Sequence, residues 1–454
     1  MMIFYEEPSK RIPVREFNVV VAGGGTAGVV AAIAASRQGA KTALIESKGY
    51  TGGIVAEGGT ALHSYFNLWK AFPGVEKRQV VKGIAQEIID RLEERGGTTG
   101  HVEMEVRYNY DSVCTAIDTE IYKLVTFEML VDAGVEVFVN TLLVGAIMDN
   151  DCIRGAIVES RSGREAFYAK AFVDCTGYGD LSAFAGAEYT EPNDHKVANS
   201  IGVGGVDVDR YNEFCKNDDN AQVAYGTRSG VPDRLVRVGF EGSGIPTDMQ
   251  EEAKKIGMSF ITTTLHDDYF MFIKLNYQMP ESPTNRDEVV KAELELRRRM
   301  EAAINILRKI PGCEKAFMAR TSPSLAIRRG RCIVCDYDIT RSDVLDGVHF
   351  EDDIMSFGFH DCAPRLQIKD GGTFGIPYKA LRVKGVKNLL AAGMLITSDW
   401  DAHMSTRNTV SCFGQGEATG IAAALCALKS IGTRELEYDE LKKALLDAGV
   451  YLEN

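Results

Sequence analysis

A short apolar strand near the N-terminus runs directly into a glycine-rich turn, and few folds accommodate that combination. Residues 17–22 read Phe-Asn-Val-Val-Val-Ala, which is typical of a parallel strand buried on both faces. The motif Gly23-x-Gly25-x-x-Gly28 follows, then an alanine- and valine-rich helix, and residues 41–46 form a second predicted strand. Such a βαβ unit predicts an α/β protein with a Rossmann-like dinucleotide-binding domain built on a parallel sheet.

Each part of this unit has a predicted contact with a nucleotide. The three glycines let the backbone approach a pyrophosphate, and Thr26 and Ala27 lie at the helix start, where N–H groups point at phosphates. Glu46 lies 18 residues beyond Gly28 and next to Ser47, and a carboxylate there accepts hydrogen bonds from both ribose hydroxyls of an adenosine. The glycine motif alone would also fit a tight turn without a ligand. Strand, helix, second strand and terminal acid together favour the nucleotide site.

Further glycine-rich segments indicate FAD rather than NAD. One segment follows the second strand directly, and backbone that passes close to an isoalloxazine ring requires residues without side chains. Two later strands, 172–175 and 388–392, each lead into another glycine turn. The residues of these segments that we expect to contact FAD are Gly52, Gly53, Thr176, Gly177, Asp180 and Gly393.

A helix is predicted from about Gly416 to Ser430, beginning within Gly414-Gln415-Gly416. The N–H groups and partial positive charge of a helix start stabilise negative charge on a reduced flavin. A glycine turn leading into a core helix is the alternative. The preceding strand favours the flavin, so we expect these three residues to bind the cofactor.

The order and spacing of these segments resemble the glutathione-reductase-type flavoproteins. Within that group the chain is similar to a broad family of FAD-dependent oxidoreductases, related to the flavoprotein subunits of fumarate reductase and succinate dehydrogenase. The resemblance implies FAD as the cofactor and spans nearly the whole chain outside residues 190–310. The matching segments are the GxGxxG motif with Glu46, the D-x-T-G-x-G-D-L stretch at 174–181, and residues 327–331, 359–361, 375–378 and 388–420.

Two positions depart from the pattern of those families. Met394 stands where an arginine usually follows the glycine of the last strand, so any contact of that guanidinium is lost or replaced. Gly52 stands where the fumarate reductase type carries the histidine that tethers its flavin covalently. We therefore expect FAD to be bound without a covalent link.

Candidate catalytic residues lie between the last predicted strand and the C-terminal helix. His403 and Arg407 are four residues apart and share a face if this segment is helical. Arg407 would then hold a substrate carboxylate or enolate while His403 acts as acid or base. A solvated loop, or an ion pair of Arg407 with Asp401, is the alternative. His360, next to Asp361, is the second acid–base candidate, with a surface histidine as its alternative.

Other polar residues leave two interpretations open. Arg328 and Arg331 either close on cofactor or substrate, or form ion pairs with Asp336 and Asp338. His63 and Tyr65 either line the flavin ring or pack in the core. Cys332 and Cys335 have CxxC spacing, but they lie in a β-prone run without the helix start that activates redox pairs. Buried thiols are therefore favoured over a redox pair or a metal site, and no metal is expected.

Composition and periodicity divide the chain into three segments. Residues 1–190 are the first part of the FAD-binding domain, with short alternating runs at 135–175 that predict an antiparallel meander. Residues 191–325 contain a stretch rich in Gly, Asp and Asn and a long helix at about 286–309, and they predict an inserted α+β substrate or cap domain. Residues 326–454 complete the FAD-binding domain and add a C-terminal helix.

Charge and hydropathy narrow the range of partners. A net charge of −13 argues against nucleic acid or anionic lipid as a general partner. No apolar run approaches the ~20 residues of a membrane span, and the N-terminus lacks the apolar core of a signal peptide. We expect a cytoplasmic protein with reduced thiols. Its expected partners are a small-molecule substrate and an unidentified electron acceptor or donor, and formation of an oligomer is left open.

Three functions remain open from the sequence. The leading prediction is dehydrogenation of a small organic substrate, or the reverse reduction, by hydride transfer with FAD. The second is reduction of an activated C=C bond in a carboxylic acid, as the resemblance to fumarate reductase implies. The third is a non-catalytic FAD-containing electron-transfer subunit. The sequence contains no second complete GxGxxG unit, which argues against a separate NAD(P)H domain.

Overall fold

A computed structural model describes residue 5 and residues 7–58, 61–63, 78–103, 113–217, 221–240, 247–358 and 368–453. The strands are β1 (Val14–Glu16), β2 (Val19–Ala22), β3 (Thr42–Ile45), β4 (Ala61–His63), β5 (Val102–Glu103), β6 (Val113–Ala116), β7 (Glu136–Phe138), β8 (Leu142–Asp149), β9 (Cys152–Ser160), β10 (Gly163–Tyr168), β11 (Ala171–Asp174), β12 (Tyr189–Thr190), β13 (Val197–Gly204), β14 (Ala221–Arg228), β15 (Val231–Phe240), β16 (Met258–Ser259), β17 (Ile261–Thr263), β18 (Tyr269–Tyr277), β19 (Phe317–Thr321), β20 (Cys332–Ile333), β21 (Asp353–Phe357), β22 (Phe374–Pro377) and β23 (Leu389–Ala391). The helices are α1 (Thr26–Arg37), α2 (Gly53–Gly58), α3 (Ile84–Glu93), α4 (Thr119–Asp132), α5 (Asp180–Phe184), α6 (Val208–Lys216), α7 (Thr247–Ile256), α8 (Arg286–Leu307), α9 (Arg341–Leu345), α10 (Trp400–Thr406), α11 (Thr409–Lys429) and α12 (Tyr438–Asp447).

A parallel sheet with strand order β23-β11-β2-β3-β7 forms the centre of the molecule. Its strands are almost entirely apolar because both faces are covered, and β2 is fully buried. Helices α1 and α11 pack closely on each other, since a Cβ on Gly416 would lie 2.3 Å from the Ala27 oxygen and one on Gly420 would lie 2.2 Å from the Ala31 oxygen. The predicted Rossmann-like α/β fold is confirmed.

A second sheet has the order β1-β10-β9-β8. Strands β8, β9 and β10 run antiparallel, which confirms the predicted meander, and β1 adds a parallel edge strand that was not predicted. The rings of Phe17, Phe138 and Phe167 join this sheet to the parallel one, with centroids 4.6–6.1 Å apart.

Residues between β12 and β20 build a separate layer of sheets and helices. One sheet has the order β16-β18-β13-β19 and another β14-β15-β17, with α6, α7 and α8 beside them. Their apolar side chains form a second core that extends from Val197 to Leu325. Helix α8, capped by the Asn285 side chain, agrees with the predicted long helix. Register shifts in β13, β14 and their partners account for the weak periodicity of the sequence here.

The predicted start of the C-terminal helix is wrong. Helix α11 begins at Thr409, and the side chain of Asn408 accepts a hydrogen bond from the Val410 N–H. Gly414 and Gly416 therefore lie inside the helix. These glycines are required for packing, because a Cβ on Gly414 would lie 2.6 Å from the Met355 sulfur.

Among the described helices, none has the length and apolarity that crossing a membrane requires.

Candidate functional site

A cavity of about 1580 Å³ extends from the carboxyl ends of the parallel strands to the second core. It is larger than a typical pocket for one small ligand, about 300–1,000 Å³. The turns after β2, β3, β11 and β23 meet at its first end, because parallel strands end at the same edge of a sheet. Residues of β16, β17 and β18 line the other end.

Two glycine segments fit against each other at the first end. Gly23 has φ +94°, and a Cβ there would lie 2.4 Å from the Cys175 oxygen. A Cβ on Gly53 would lie 2.8 Å from the Gly25 Cα, and the Gly52 N–H donates to the Gly24 oxygen at 2.8 Å. Only glycine fits at positions 23 and 53, so the turn after β2 and Gly53 form one continuous backbone surface on the cavity. Gly52, also predicted to contact the cofactor, lies outside the lining, and a Cβ there would meet the Tyr122 ring at 2.5 Å.

The start of α1 carries a buried polar atom that suits a phosphate. Thr26 and Ala27 line the cavity, and Gly28 allows α1 to pack on the turn, since a Cβ there would lie 1.8 Å from the Gly23 oxygen. Thr26 Oγ1 is buried and has no hydrogen-bond partner among the described residues. Burying a hydroxyl without a partner is costly, so a ligand oxygen at this helix start would satisfy it.

Glu46 lines the same end of the cavity. Its carboxylate accepts hydrogen bonds from the N–H of Gly24 at 2.7 Å, the N–H of Lys48 at 2.8 Å and the hydroxyl of Ser47 at 3.1 Å. Two carboxylate oxygens offer about four acceptor sites, so capacity remains for a ribose hydroxyl. The glycine surface, the unsatisfied Thr26 hydroxyl and this carboxylate together fit the ADP part of FAD.

The turn after β11 is held by the first residue of the D-x-T-G-x-G-D-L stretch, to which the sequence analysis assigned no role of its own. Asp174 is fully buried, and it accepts the N–H and hydroxyl of Thr176 at 3.1 and 2.8 Å and those of Ser182 at 2.8 and 2.7 Å. This network places Thr176, Gly177 and Asp180 on the cavity. Burial raises the pKa of Asp180, although the guanidinium of Arg331 lies 2.8 Å away.

Gln415 does not reach the cavity, contrary to the sequence prediction. Its Oε1 accepts from the Gly393 N–H at 2.8 Å, and its Nε2 donates to the Thr406 oxygen at 2.7 Å and to Ser411 Oγ at 3.0 Å. Gly414 and Gly416 are also absent from the cavity lining. The part of α11 that faces the cavity is its true N-terminus, with Asn408, Thr409 and Cys412, while Gly393 and Met394 line the cavity as expected of the last turn.

The two predicted catalytic residues, His403 in α10 and Arg407 at its end, lie in different environments. Arg407 lines the cavity together with Trp400 and Met404. His403 is fully buried outside the lining, and its Nε2 lies 2.8 Å from the Arg328 oxygen. Desolvation holds the pKa of His403 well below its usual range. The expectation that both residues meet the substrate is therefore wrong for His403. Asp401 pairs with Arg341 at 3.1 Å.

The cavity contains a histidine–aspartate pair that sequence reasoning missed. His195 lines it, with Nδ1 at 2.6 Å from Asp194 Oδ1, and Asp194 also accepts from Arg329 at 2.8 Å. The rings of Trp400 and His403 lie 5.5 and 5.3 Å from the His195 ring. The Asp-His dipeptide was the available signal, but it lies in a loop without periodicity.

Of the described residues, five with basic side chains line the cavity towards the second core and around α10: Lys196, Lys254, Lys274, Arg328 and Arg407. Arg328 donates to Asn276 Oδ1 at 3.0 Å, so it lies beside β18 rather than pairing with Asp336. Asp336 instead binds Arg382 and Arg434. Of the acidic lining residues, Glu57 pairs with Lys48, Asp180 with Arg331 and Asp194 with Arg329.

The remaining candidates fall outside the cavity or outside the description. Cys332 and Cys335 are buried free thiols, and burial raises the pKa of both, which confirms the buried-thiol prediction. His360 and Tyr65 lie outside the described residues, and of His63 only the backbone is described. Their predicted roles stay predictions.

A family model described as FAD dependent oxidoreductase matches residues 18–445. No curated protein matches the chain.

Three solved structures are among those similar to this chain. A geranylgeranyl bacteriochlorophyll reductase-like protein from Thermoplasma acidophilum is 13% identical with a TM-score of 0.44, covering 96% of this chain and 83% of that one. The p-nitrophenol 4-monooxygenase from Pseudomonas putida is 12% identical with a TM-score of 0.46, covering 96% of this chain and 84% of that one. A flavoprotein/dehydrogenase from Cytophaga hutchinsonii is 13% identical with a TM-score of 0.45, covering 95% of this chain and 83% of that one. These identities carry no conclusion about the reaction.

Proposed function

The chain belongs to the FAD dependent oxidoreductase family, and from that premise we propose that it transfers a hydride between a small organic anion and non-covalently bound FAD. FAD, when bound, supplies a two-electron acceptor or donor for carbon-bound hydrogen. The protein itself contributes binding, orientation and charge. Its relation to glutathione-reductase-type and fumarate-reductase flavoproteins, and the role of residues 191–325 as a substrate-covering domain, remain part of this proposal.

The residues that would hold the cofactor lie at the sheet end of the cavity. The turn with Gly23 and Gly25 and the start of α1 at Thr26 would bind the pyrophosphate, and Glu46 the adenosine ribose. The segment at 52–53, the turn at 176–180 and Gly393 would surround the rest of the dinucleotide. Gly52 offers no side chain for a covalent link to the flavin, which supports non-covalent binding.

The observation that carries the substrate class is the charge of the cavity. The chain has a net charge of −13, yet five basic side chains line the substrate part of the cavity, and three of the acidic lining residues are bound to cations. Arg407 is the basic residue nearest to the start of α11. Its planar guanidinium suits a carboxylate, which it binds through two parallel hydrogen bonds.

The proposal is tested by anaerobic reduction of the holoenzyme. We would mix it with 2-hydroxy and 2-amino acids and with the methyl ester of each, and follow loss of the oxidised flavin spectrum. One charge-assisted contact contributes about 1.5–3 kcal/mol, so the acids should react roughly 10–100-fold faster than their esters. Equal rates for acid and ester, or no reaction with any anion, would contradict the proposal.

Two additions sharpen this experiment. Lys274→Gln removes a cavity charge and should weaken the preference for the acid, whereas Lys309→Gln, which pairs with Glu252 outside the cavity, should not. Chemically reduced holoenzyme, offered an α,β-unsaturated acid without oxygen, tests C=C reduction directly. Reoxidation by that acid alone would select the second reaction over dehydrogenation.

A further inference from the structure

His195 has a hydrogen-bond arrangement that anion binding does not use. Its Nδ1 lies 2.6 Å from one oxygen of Asp194, and the other oxygen accepts from Arg329 Nη1 at 2.8 Å. A carboxylate paired with a guanidinium is ionised and can only accept hydrogen bonds. Nδ1 of His195 therefore carries the hydrogen, and Nε2 holds a lone pair.

That lone pair faces a group that cannot donate to it. Nε2 of His195 lies 3.2 Å from the thioether sulfur of Met404, which has no hydrogen. Both His195 and Met404 line the cavity, next to Arg407. A flexible methionine is easily displaced by a ligand, because its side chain has three rotatable bonds. A substrate held by Arg407 thus has a proton acceptor beside it.

Burial, together with two neighbouring guanidinium groups, favours the neutral form of this histidine. Burial is the largest cause that lowers the pKa of His195, and Arg407 and Arg329 lower it further, while Asp194 opposes them. His403 packs against the ring from α10 and is itself neutral, since its own pKa is lowered by burial. At neutral pH the imidazole is ready to take a proton.

We propose that His195 is the residue that transfers the substrate proton, with Asp194 as its positioning residue; this inference rests on the proposed function. Oxidation of an alcohol to a carbonyl breaks one C–H and one O–H bond. FAD, when bound, would accept the carbon-bound hydrogen with both electrons, and as the C=O bond forms the hydroxyl proton would move to His195 Nε2. Asp194 stabilises the resulting imidazolium and fixes the tautomer, and in the reverse reaction His195 returns the proton.

The first test compares His195→Gln, Asp194→Asn and His101→Gln holoenzymes in anaerobic flavin reduction over a range of pH. His195→Gln should slow reduction by roughly 10²–10⁴-fold with FAD content unchanged, and the acidic limb of the pH profile should disappear. Asp194→Asn removes the group that raises the pKa of His195, so the acidic limb should move to lower pH. His101 lies outside the cavity lining and should show the wild-type profile. A wild-type rate and profile for His195→Gln would overturn the proposal and assign the proton to another group, such as His360.

A second test needs no substrate. Diethyl pyrocarbonate acylates the neutral nitrogen of an imidazole, and peptide mass spectrometry locates the product. The His195 side chain is 4% exposed, so we expect slow modification of His195 in the holoenzyme, faster as pH rises, and none of fully buried His403. Half-exposed His266 serves as the positive control at the alkaline end of the range, because its hydrogen bond with Asp118 raises its pKa. Modified His266 with unmodified His195 would overturn the inference. If no organic anion reduces the wild-type flavin but His195 is modified as expected, the hydride-transfer proposal fails while the basic, cavity-facing Nε2 stands.

Discussion

Glu417 is a buried acid whose ionisation should make the stability of the protein depend on pH. It lies on α11 with 1% of its surface exposed, and its two oxygens are each 3.3 Å from the Ile84 N–H at the start of α3. Burial raises the pKa of Glu417 from 4.5 to about 8, against the Ile84 hydrogen bond and the charge of Arg37, which lower it. A Cβ on Gly83 would lie 2.5 Å from the carboxylate, so backbone packs tightly against it.

The sign and size of the effect follow from proton linkage. The folded chain binds the Glu417 proton more tightly than the unfolded chain, so its stabilising contribution is fully present below pH 4.5 and is lost as pH rises to about 8. Each pH unit in this window costs about 1.4 kcal/mol. Between about pH 5.5 and pH 8 the free energy of unfolding should therefore fall by about 3 kcal/mol from this residue.

The perturbation is Glu417→Gln, which keeps the size of the side chain and cannot ionise. In urea unfolding, the free energy of unfolding of the variant should fall by about 3 kcal/mol less than that of the wild type between the two pH values. The variant should therefore be more stable than the wild type at the higher pH. Glu94→Gln changes an exposed glutamate at the other end of α3 and should leave the pH dependence unchanged. Parallel curves for wild type and Glu417→Gln would refute the reasoning.

Three further substitutions test the site and its supports. Glu46→Ala should weaken FAD binding by about 1–3 kcal/mol, as measured by the dissociation constant of FAD, because the adenosine ribose would lose its acceptor and the turn would lose the carboxylate that holds the Gly24 and Lys48 N–H groups. Gly416→Ala should lower the free energy of unfolding in urea by about 1–3 kcal/mol, since its Cβ would lie 2.3 Å from the Ala27 oxygen, and should leave the flavin potential unchanged. Arg407→Lys should weaken binding of a carboxylate substrate about tenfold in spectral titrations with FAD content unchanged, and unaltered affinity would exclude its anion-binding role.

The sequence predicts the residues of the candidate cofactor end because their signals are local in sequence. The strand, the glycine turn from Gly23 and the acid at Glu46 lie within one βαβ unit, and each position has a steric or hydrogen-bonding reason that a sequence shows. The glycines at 414–416 were misleading for the same local reason. They lie inside α11, where Gly416 allows the helix to pack on α1. The residue that caps the N-terminus of α11 is Asn408, which lies outside the glycine pattern.

The proposed substrate end was not predictable because it is assembled from distant segments. His195 comes from the loop before β13, Arg329 from the segment after β19 and Arg407 from the end of α10. Helical spacing places His403 and Arg407 near each other but does not say which of them is buried. The structure shows that His403 is buried with its ring nitrogen at the Arg328 oxygen. The residues that line the cavity are Arg407 and His195 instead.

A crystal structure of the holoenzyme with a bound carboxylate tests the central claim most directly. We expect FAD without a covalent bond to the protein, its adenosine ribose on Glu46, its pyrophosphate at Thr26, and the carboxylate on Arg407 within hydrogen-bond reach of His195 Nε2. A flavin attached to a side chain, or a carboxylate bound away from Arg407 with FAD in place, would contradict the account.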